Sequence, residues 1–177
     1  MPADQSPGQP ERSPADGTNT YDIRIARDGT WFHEGAPIGR KPLVKLFASV
    51  LWRDDGGGYW LRTPVEQGRI EVEDAPFTAV EISVRGEGEA QVLAFRTNLD
   101  DWVEAGPGHP LRVVEDAAEG GPSPYILVRD CLEALILRPV YYELAELAVP
   151  ARAGGPAPAG TLGVWSHGVY FPLGRSR

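Results

Sequence analysis

Three histidines, His33, His109 and His167, are the residues of this 177-residue chain best suited to ligate a transition metal or to move a proton near neutral pH. A preformed metal site needs two ligands at close spacing along one strand or helix, and no pair of the three has it. Two of them recur in matching surroundings instead. Gly29-Thr-Trp-Phe-His33 and Gly163-Val-Trp-Ser-His167 share the pattern Gly-x-Trp-x-His, followed within two residues by a glycine and then by an apolar set with a proline and Gly-Arg. A common turn-flanking role explains His33 and His167 more simply than chemistry does, so no metal or cofactor is expected.

The other reactive groups are poorly arranged for catalysis. Glu66, Glu71, Glu73 and Asp74 form an acid-rich run, and paired carboxylates serve general acid–base and glycosidic chemistry. Glu71 and Glu73, however, flank Val72, so on a strand both share the solvent side while Ile70 and Val72 face the core. Cys131 follows Arg129-Asp130 at a strand reversal, with no lysine or helix start beside it to activate a thiolate. Ser166 and His167 are chain neighbours, which is poor geometry for a base acting on a nucleophile, and no Gly-x-Ser-x-Gly elbow occurs. Asp54-Asp-Gly-Gly-Gly58 has neither the Gly-Lys-Ser/Thr of a phosphate loop nor the spaced acids of a calcium loop. The residues as they stand point to a protein that is not an enzyme. What remains is aromatic and basic: Trp31, Trp60, Trp102 and Trp165, with Tyr141 and Tyr142, lie near Arg40, Arg62, Arg129, Arg138 and Arg175. Arginine beside aromatic faces can grip a phosphate and stack a base.

The elements that would position these groups are mostly strands. Alternating or β-branched runs stand at 22–25, 30–33, 59–62, 69–73, 78–84, 91–95, 111–114 and 125–128, punctuated by Asp28-Gly29, Glu34-Gly35, Gln67-Gly68, Gly86-Glu-Gly88 and Pro107-Gly108. Leu43, Leu46, Phe47, Val50 and Leu51 have helical spacing and predict a helix over 41–52. A second helix is predicted over 139–148, after a strand at Leu132–Leu137, because Pro139 would break one long helix through both. Ala151 to Gly160 reads as a low-complexity loop. Residues 1–20, with four prolines and almost no large apolar side chain, read as a disordered tail.

Composition narrows the partners. Hydrophobic residues at 42% and charged residues at 24% are those of an ordinary globular chain, and a single cysteine suits a reducing cytoplasm. No run resembles a signal peptide or a membrane span, so no membrane association is expected. A formal charge of −8 argues against duplex nucleic acid, whose backbone demands clustered Lys and Arg, but leaves room for a single nucleotide. The repeated Gly-x-Trp-x-His plan predicts an α+β fold of two β-rich halves from a duplication, residues 21–75 and 76–177, each an antiparallel sheet with one helix.

The runs Ile25-Ala-Arg-Asp-Gly-Thr-Trp31, Pro37-Ile-Gly-Arg40, Leu43 to Ala48, Thr63-Pro-Val-Glu66 and Val72-Glu-Asp-Ala-Pro-Phe77 resemble the DUF1285 family of uncharacterised bacterial proteins. Thr97-Asn98, Val128-Arg129, Arg138, Tyr141-Tyr-Glu-Leu144 and Trp165-Ser166 extend the resemblance over about residues 21 to 173. It implies a duplicated architecture with a C-terminal half superficially like a pleckstrin-homology domain, a ligand site between the halves suited to a nucleotide-like molecule, and a role in signalling. It assigns no catalytic residue. With the arginines and aromatics above, it predicts that Arg40, Arg129 and Arg138 hold phosphate, with Arg62 nearby, and that Tyr141 or Tyr142 stacks a base. The alternative is a protein-interaction module, facing a signalling partner, whose cleft is filled by packing. Cys131 departs from the family pattern, which favours glycine in that turn.

Overall fold

The computed structural model describes residues 19–116 and 120–176. The expected disordered tail therefore falls outside the described residues as far as position 18, while Asn19 and Thr20 already open the first strand.

Alternation buries Ile23 and Ile25 of β1 (Asn19–Ile25) and exposes their neighbours to varying degrees. The chain then forms β2 (Trp31–His33), β3 (Ala36–Pro37), helix α1 (Lys41–Ser49), β4 (Leu51–Arg53), β5 (Tyr59–Arg62) and β6 (Gln67–Val72). Glu34 and Gly35, at φ 51° and 78°, make the left-handed turn that a tight β2–β3 hairpin requires. Helix α1 stops at Ser49, three residues short of the predicted end. Leu51 and Trp52 instead pair with Leu61 and Trp60. Burying Leu51 and stacking the two indoles, 6.3 Å between ring centres, outweighs a last helical turn that would leave both on the surface.

The second half repeats this plan. β7 (Phe77–Arg85), β8 (Val92–Thr97), β9 (Trp102–Glu104), β10 (Leu111–Asp116), β11 (Gly121–Arg129) and β12 (Leu132–Ile136) form another six-stranded sheet. Numbered from each half's own first strand, both sheets have the order 3-2-1-6-5-4. The expectation of an antiparallel sheet in each half is corrected here, because each sheet has one parallel pair at its centre. In each the chain leaves by one edge and re-enters at the other, so the first and last strands meet at the centre pointing the same way: β1 with β6, and β7 with β12. Helix α2 (Arg138–Glu146), starting one residue before the predicted 139 and ending short of 148, leads to a three-stranded sheet of β13 (Val149–Pro150), β14 (Thr161–Ser166) and β15 (Val169–Arg175). The two Gly-x-Trp-x-His hairpins are therefore not equivalent. One belongs to the first six-stranded sheet, the other to this extra sheet outside the repeat.

The halves differ most where the third strand hands over to the fourth. In the first sheet α1 makes the crossing. In the second only residues 105–110 separate β9 from β10, and four of them are taken up by a tight turn. With four of its six residues folded back into a turn, this connection spans far less than the roughly 24 Å between the edges of a flat six-stranded sheet. The second sheet must curl to bring its edges together, and it bends into a half-barrel. One apolar core runs through both halves, taking in Ile25 and Trp31 from the first and Phe95, Ile126, Leu144 and Val164 from the second.

Candidate inter-half cleft

A cleft of about 1070 Å³ opens between α1 and the curled sheet. Lys45, Ala48 and Ser49 of α1 form one wall. The rest of the lining comes from the connection from Gly106 to His109, Trp102 and Glu104 of β9, His167 at the tip of the β14–β15 hairpin, and Arg129 of β11, which reaches across to α1.

Each wall is fixed by specific polar contacts. The Arg129 guanidinium donates to the Ala48 carbonyl at 2.6 Å and, more weakly, to that of Leu51 at 3.5 Å, placing a cation on the C-terminal end of α1 where carbonyls lack helical partners. Lys41 and Lys45, one helical turn apart, both reach Asp100 in the β8–β9 turn, at 2.9 and 3.2 Å. These hydrogen bonds hold the Asp100 carboxyl below the usual carboxylate range. On the other wall, the fully buried Ser166 hydroxyl donates to the Ala105 carbonyl at 2.6 Å and accepts from the Leu93 N–H at 2.9 Å. With His167 N–H donating to the Gln91 carbonyl at 3.0 Å, these bonds dock the hairpin tip against β8 and β9.

The docked tip carries His167, at φ 50° in a turn completed by Gly168 at φ 73°. Its Nε2 lies 2.7 Å from Glu104 Oε2, and Arg85 pairs with the other oxygen of that carboxylate. His167 first and Arg85 second hold the Glu104 carboxyl low. His109 is anchored differently, its Nδ1 3.0 Å from the Leu127 carbonyl. Since a carbonyl only accepts, Nδ1 carries the hydrogen and Nε2 is the unprotonated nitrogen of the neutral ring. Trp102, 49% exposed at the rim, offers a ring face. Among the described residues no group of three His, Cys, Asp or Glu side chains could hold a metal ion.

A second cavity, of about 350 Å³, lies at the start of α2 between the β1–β2 turn and β11. Arg27 enters it from the first half and donates to Ser123 Oγ at 3.2 Å. Arg138 and Tyr141 enter from α2. Burial pushes the Tyr141 phenol up, so it is a neutral donor.

Sequence comparison decides the family. Residues 76–173 match the model described as "Protein of unknown function (DUF1285), C-terminal domain", and residues 11–75 match "Domain of unknown function (DUF1285), N-terminal domain". The chain belongs to the DUF1285 family. It is similar to the crystal structure of a DUF1285 family protein from Silicibacter pomeroyi DSS-3, at 46% identity over 89% of this chain and 81% of that one, with a TM-score of 0.81. A DUF1285 family protein from Shewanella baltica OS155 matches at 26% identity over 71% of this chain and 91% of that one, with a TM-score of 0.55. No curated protein matches.

In this DUF1285 protein the arginines and tyrosines singled out by sequence do not converge. Arg129 lines the large cleft, and Arg138 with Tyr141 lines the small cavity. Arg40 is the exposed, extended residue that begins α1, Arg62 lies over the Trp52 ring at 3.8 Å with its Nε donating to Gln67, and Tyr142 is 59% exposed on α2. None of these three lines either cavity. The cleft residues that sequence did not assign are Lys45, Trp102, Glu104, His109 and His167. The histidines were conspicuous by type, but nothing in their spacing said that a hairpin near the C-terminus would be docked beside a turn some sixty residues earlier.

Proposed function

We propose that this DUF1285 protein binds a small nucleotide-like or phosphorylated ligand in the cleft between its halves, as part of a cytoplasmic signalling pathway. The observation that carries the reading is the cleft itself: an open volume of about 1070 Å³ with walls from both halves, cations Lys45 and Arg129 on its sides and the exposed face of Trp102 at its rim. That volume suits a nucleotide-sized ligand. Two of the guanidinium hydrogens of Arg129 are spent on the carbonyls at the end of α1 and the group pairs loosely with Asp130 at 3.9 Å, leaving further hydrogens that can meet a phosphate oxygen. Trp102 supplies the stacking surface for a base. Open space is also what favours a ligand over an interaction module with a packed cleft. A ligand held by both walls would fix their separation, which gives binding a route to a signalling partner.

Isothermal titration calorimetry against a panel of nucleoside mono-, di- and cyclic phosphates tests this directly. The expected result is one site with a dissociation constant well below millimolar for at least one member, weakened by Trp102→Ala. Absence of binding tighter than millimolar across the panel overturns it.

A further inference from the structure

We infer that the cleft also performs chemistry: a metal-independent hydrolysis of a nucleoside cyclic phosphodiester, with His109 and His167 moving the protons. This rests on the ligand reading above and runs against the sequence expectation, which assigned His167 to turn packing. Gly106 and His109 form an antiparallel bridge with both reciprocal hydrogen bonds, each 3.1 Å. Directly opposed residues present their side chains on one face, with Cβ positions about 5 Å apart. A Cβ placed on Gly106 would lie 3.4 Å from His167 Cβ and 3.5 Å from its Cδ2. The His167 ring therefore sits over the same face of the turn from which His109 projects, in van der Waals range of position 106.

The two rings are tethered so that each keeps one nitrogen for the ligand. His109 commits Nδ1 to the Leu127 carbonyl and keeps Nε2. His167 commits Nε2 to Glu104 and keeps Nδ1. His167 takes the acid's role as an imidazolium, its Nε2–H donating to Glu104 and its Nδ1–H left for the ligand; His109, against a neutral carbonyl, takes the base's. In the reaction a water gives a proton to His109 Nε2 as its oxygen bonds to phosphorus. One ribose–phosphorus ester bond breaks, and the departing ribose oxygen takes the proton from His167 Nδ1. Water is consumed, the product is a nucleoside monophosphate, and nothing is oxidised or reduced; exchange with solvent then takes the proton from His109 and returns one to His167. Lys45 and Arg129, both on the cleft wall, face the negative charge that builds on the phosphoryl oxygens. The charged groups around the pair are Glu104 of β9 with Arg85 behind it, Asp101 just before β9, Lys45 from α1 with its partner Asp100, and Arg129 from β11 with its partner Asp130.

The test is hydrolysis of nucleoside 2′,3′- and 3′,5′-cyclic phosphates by the full chain in excess chelator, followed by phosphorus NMR, beside calorimetry with the same compounds. His167→Asn keeps the hairpin, because asparagine before glycine is a preferred occupant of its left-handed turn, and His109→Gln keeps a donor for Leu127. Each is expected to lower kcat by about 10²–10⁴-fold while retaining ligand binding. The wild type should have a bell-shaped pH profile that loses its acid limb in His109→Gln and its alkaline limb in His167→Asn. Binding without turnover, or turnover unchanged in both variants, overturns the chemistry and leaves the ligand reading standing. Neither binding nor turnover overturns both.

Discussion

The two six-stranded sheets share one strand order, yet they join their third and fourth strands by opposite means. The first uses α1, nine residues of helix that cross a broad sheet. The second uses six residues and a tight turn, and must curl to do so. Both connections face the cleft, one lending Lys45 and the other His109. A repeated topology thus supplies the frame, while the candidate site stands where the second copy departs from the first. The fastening differs as well. The helix is held by a guanidinium at its carbonyl end and by two lysines on Asp100; the short connection is held by the buried Ser166 hydroxyl.

Removing each fastening should separate the two cases. Ser166→Ala leaves the Leu93 N–H and the Ala105 carbonyl without their partner in a fully buried place, and an unsatisfied buried group costs about 1–3 kcal/mol. Urea unfolding should therefore show the largest loss here, with His167 released from Glu104 in NMR spectra. Arg129→Met keeps the aliphatic stem but uncaps α1, at an expected cost of about 1–2 kcal/mol. Hydrogen exchange should rise in the last turn of α1 and stay unchanged around the Gly106–His109 turn.

Much of the frame was legible in the residues. Period-two runs locate most strands because one face of each is buried against the common core, and Pro139 marks the start of α2 because a first turn tolerates a missing N–H. The end of α1 was not legible, since Leu51 and Trp52 fit a helical stripe as well as a strand and only their pairing with Leu61 and Trp60 decides. The parallel central pairs were invisible for a related reason: pairing across forty or more residues leaves no local mark. The site was least legible. Arg40, Arg62, Arg129 and Arg138 are near one another in character but are dispersed by the fold, and His109 shares a cleft with His167 only through the docking of a hairpin from outside the repeat.

Smaller effects sharpen the comparison of turns. Asp130 and Cys131 link β11 to β12 at φ 41° and 64°, where Glu34-Gly35 and His167-Gly168 place a glycine second. Cys131→Gly relieves the left-handed strain of a side chain and should raise stability by about 0.5–1 kcal/mol, measured as a higher denaturation midpoint. The gentlest probe is pH. Asp100 has a folded pKa depressed by Lys41 and Lys45, so its contribution is present above the ordinary carboxylate value and is lost as pH falls through the depressed one. Acid titration should loosen α1 from the β8–β9 turn in that range, and Asp100→Asn should flatten this part of the stability profile.

The central claim, that the cleft between the halves takes a nucleotide-like ligand beside two histidines, is tested most directly by following the imidazole resonances of all three histidines during titration with nucleoside monophosphates. His33, exposed on β2 and outside the cleft, serves as an internal reference. His109 and His167 should shift together and saturably while His33 stays in place. Three unmoved histidines, or a shift confined to His33, would contradict it.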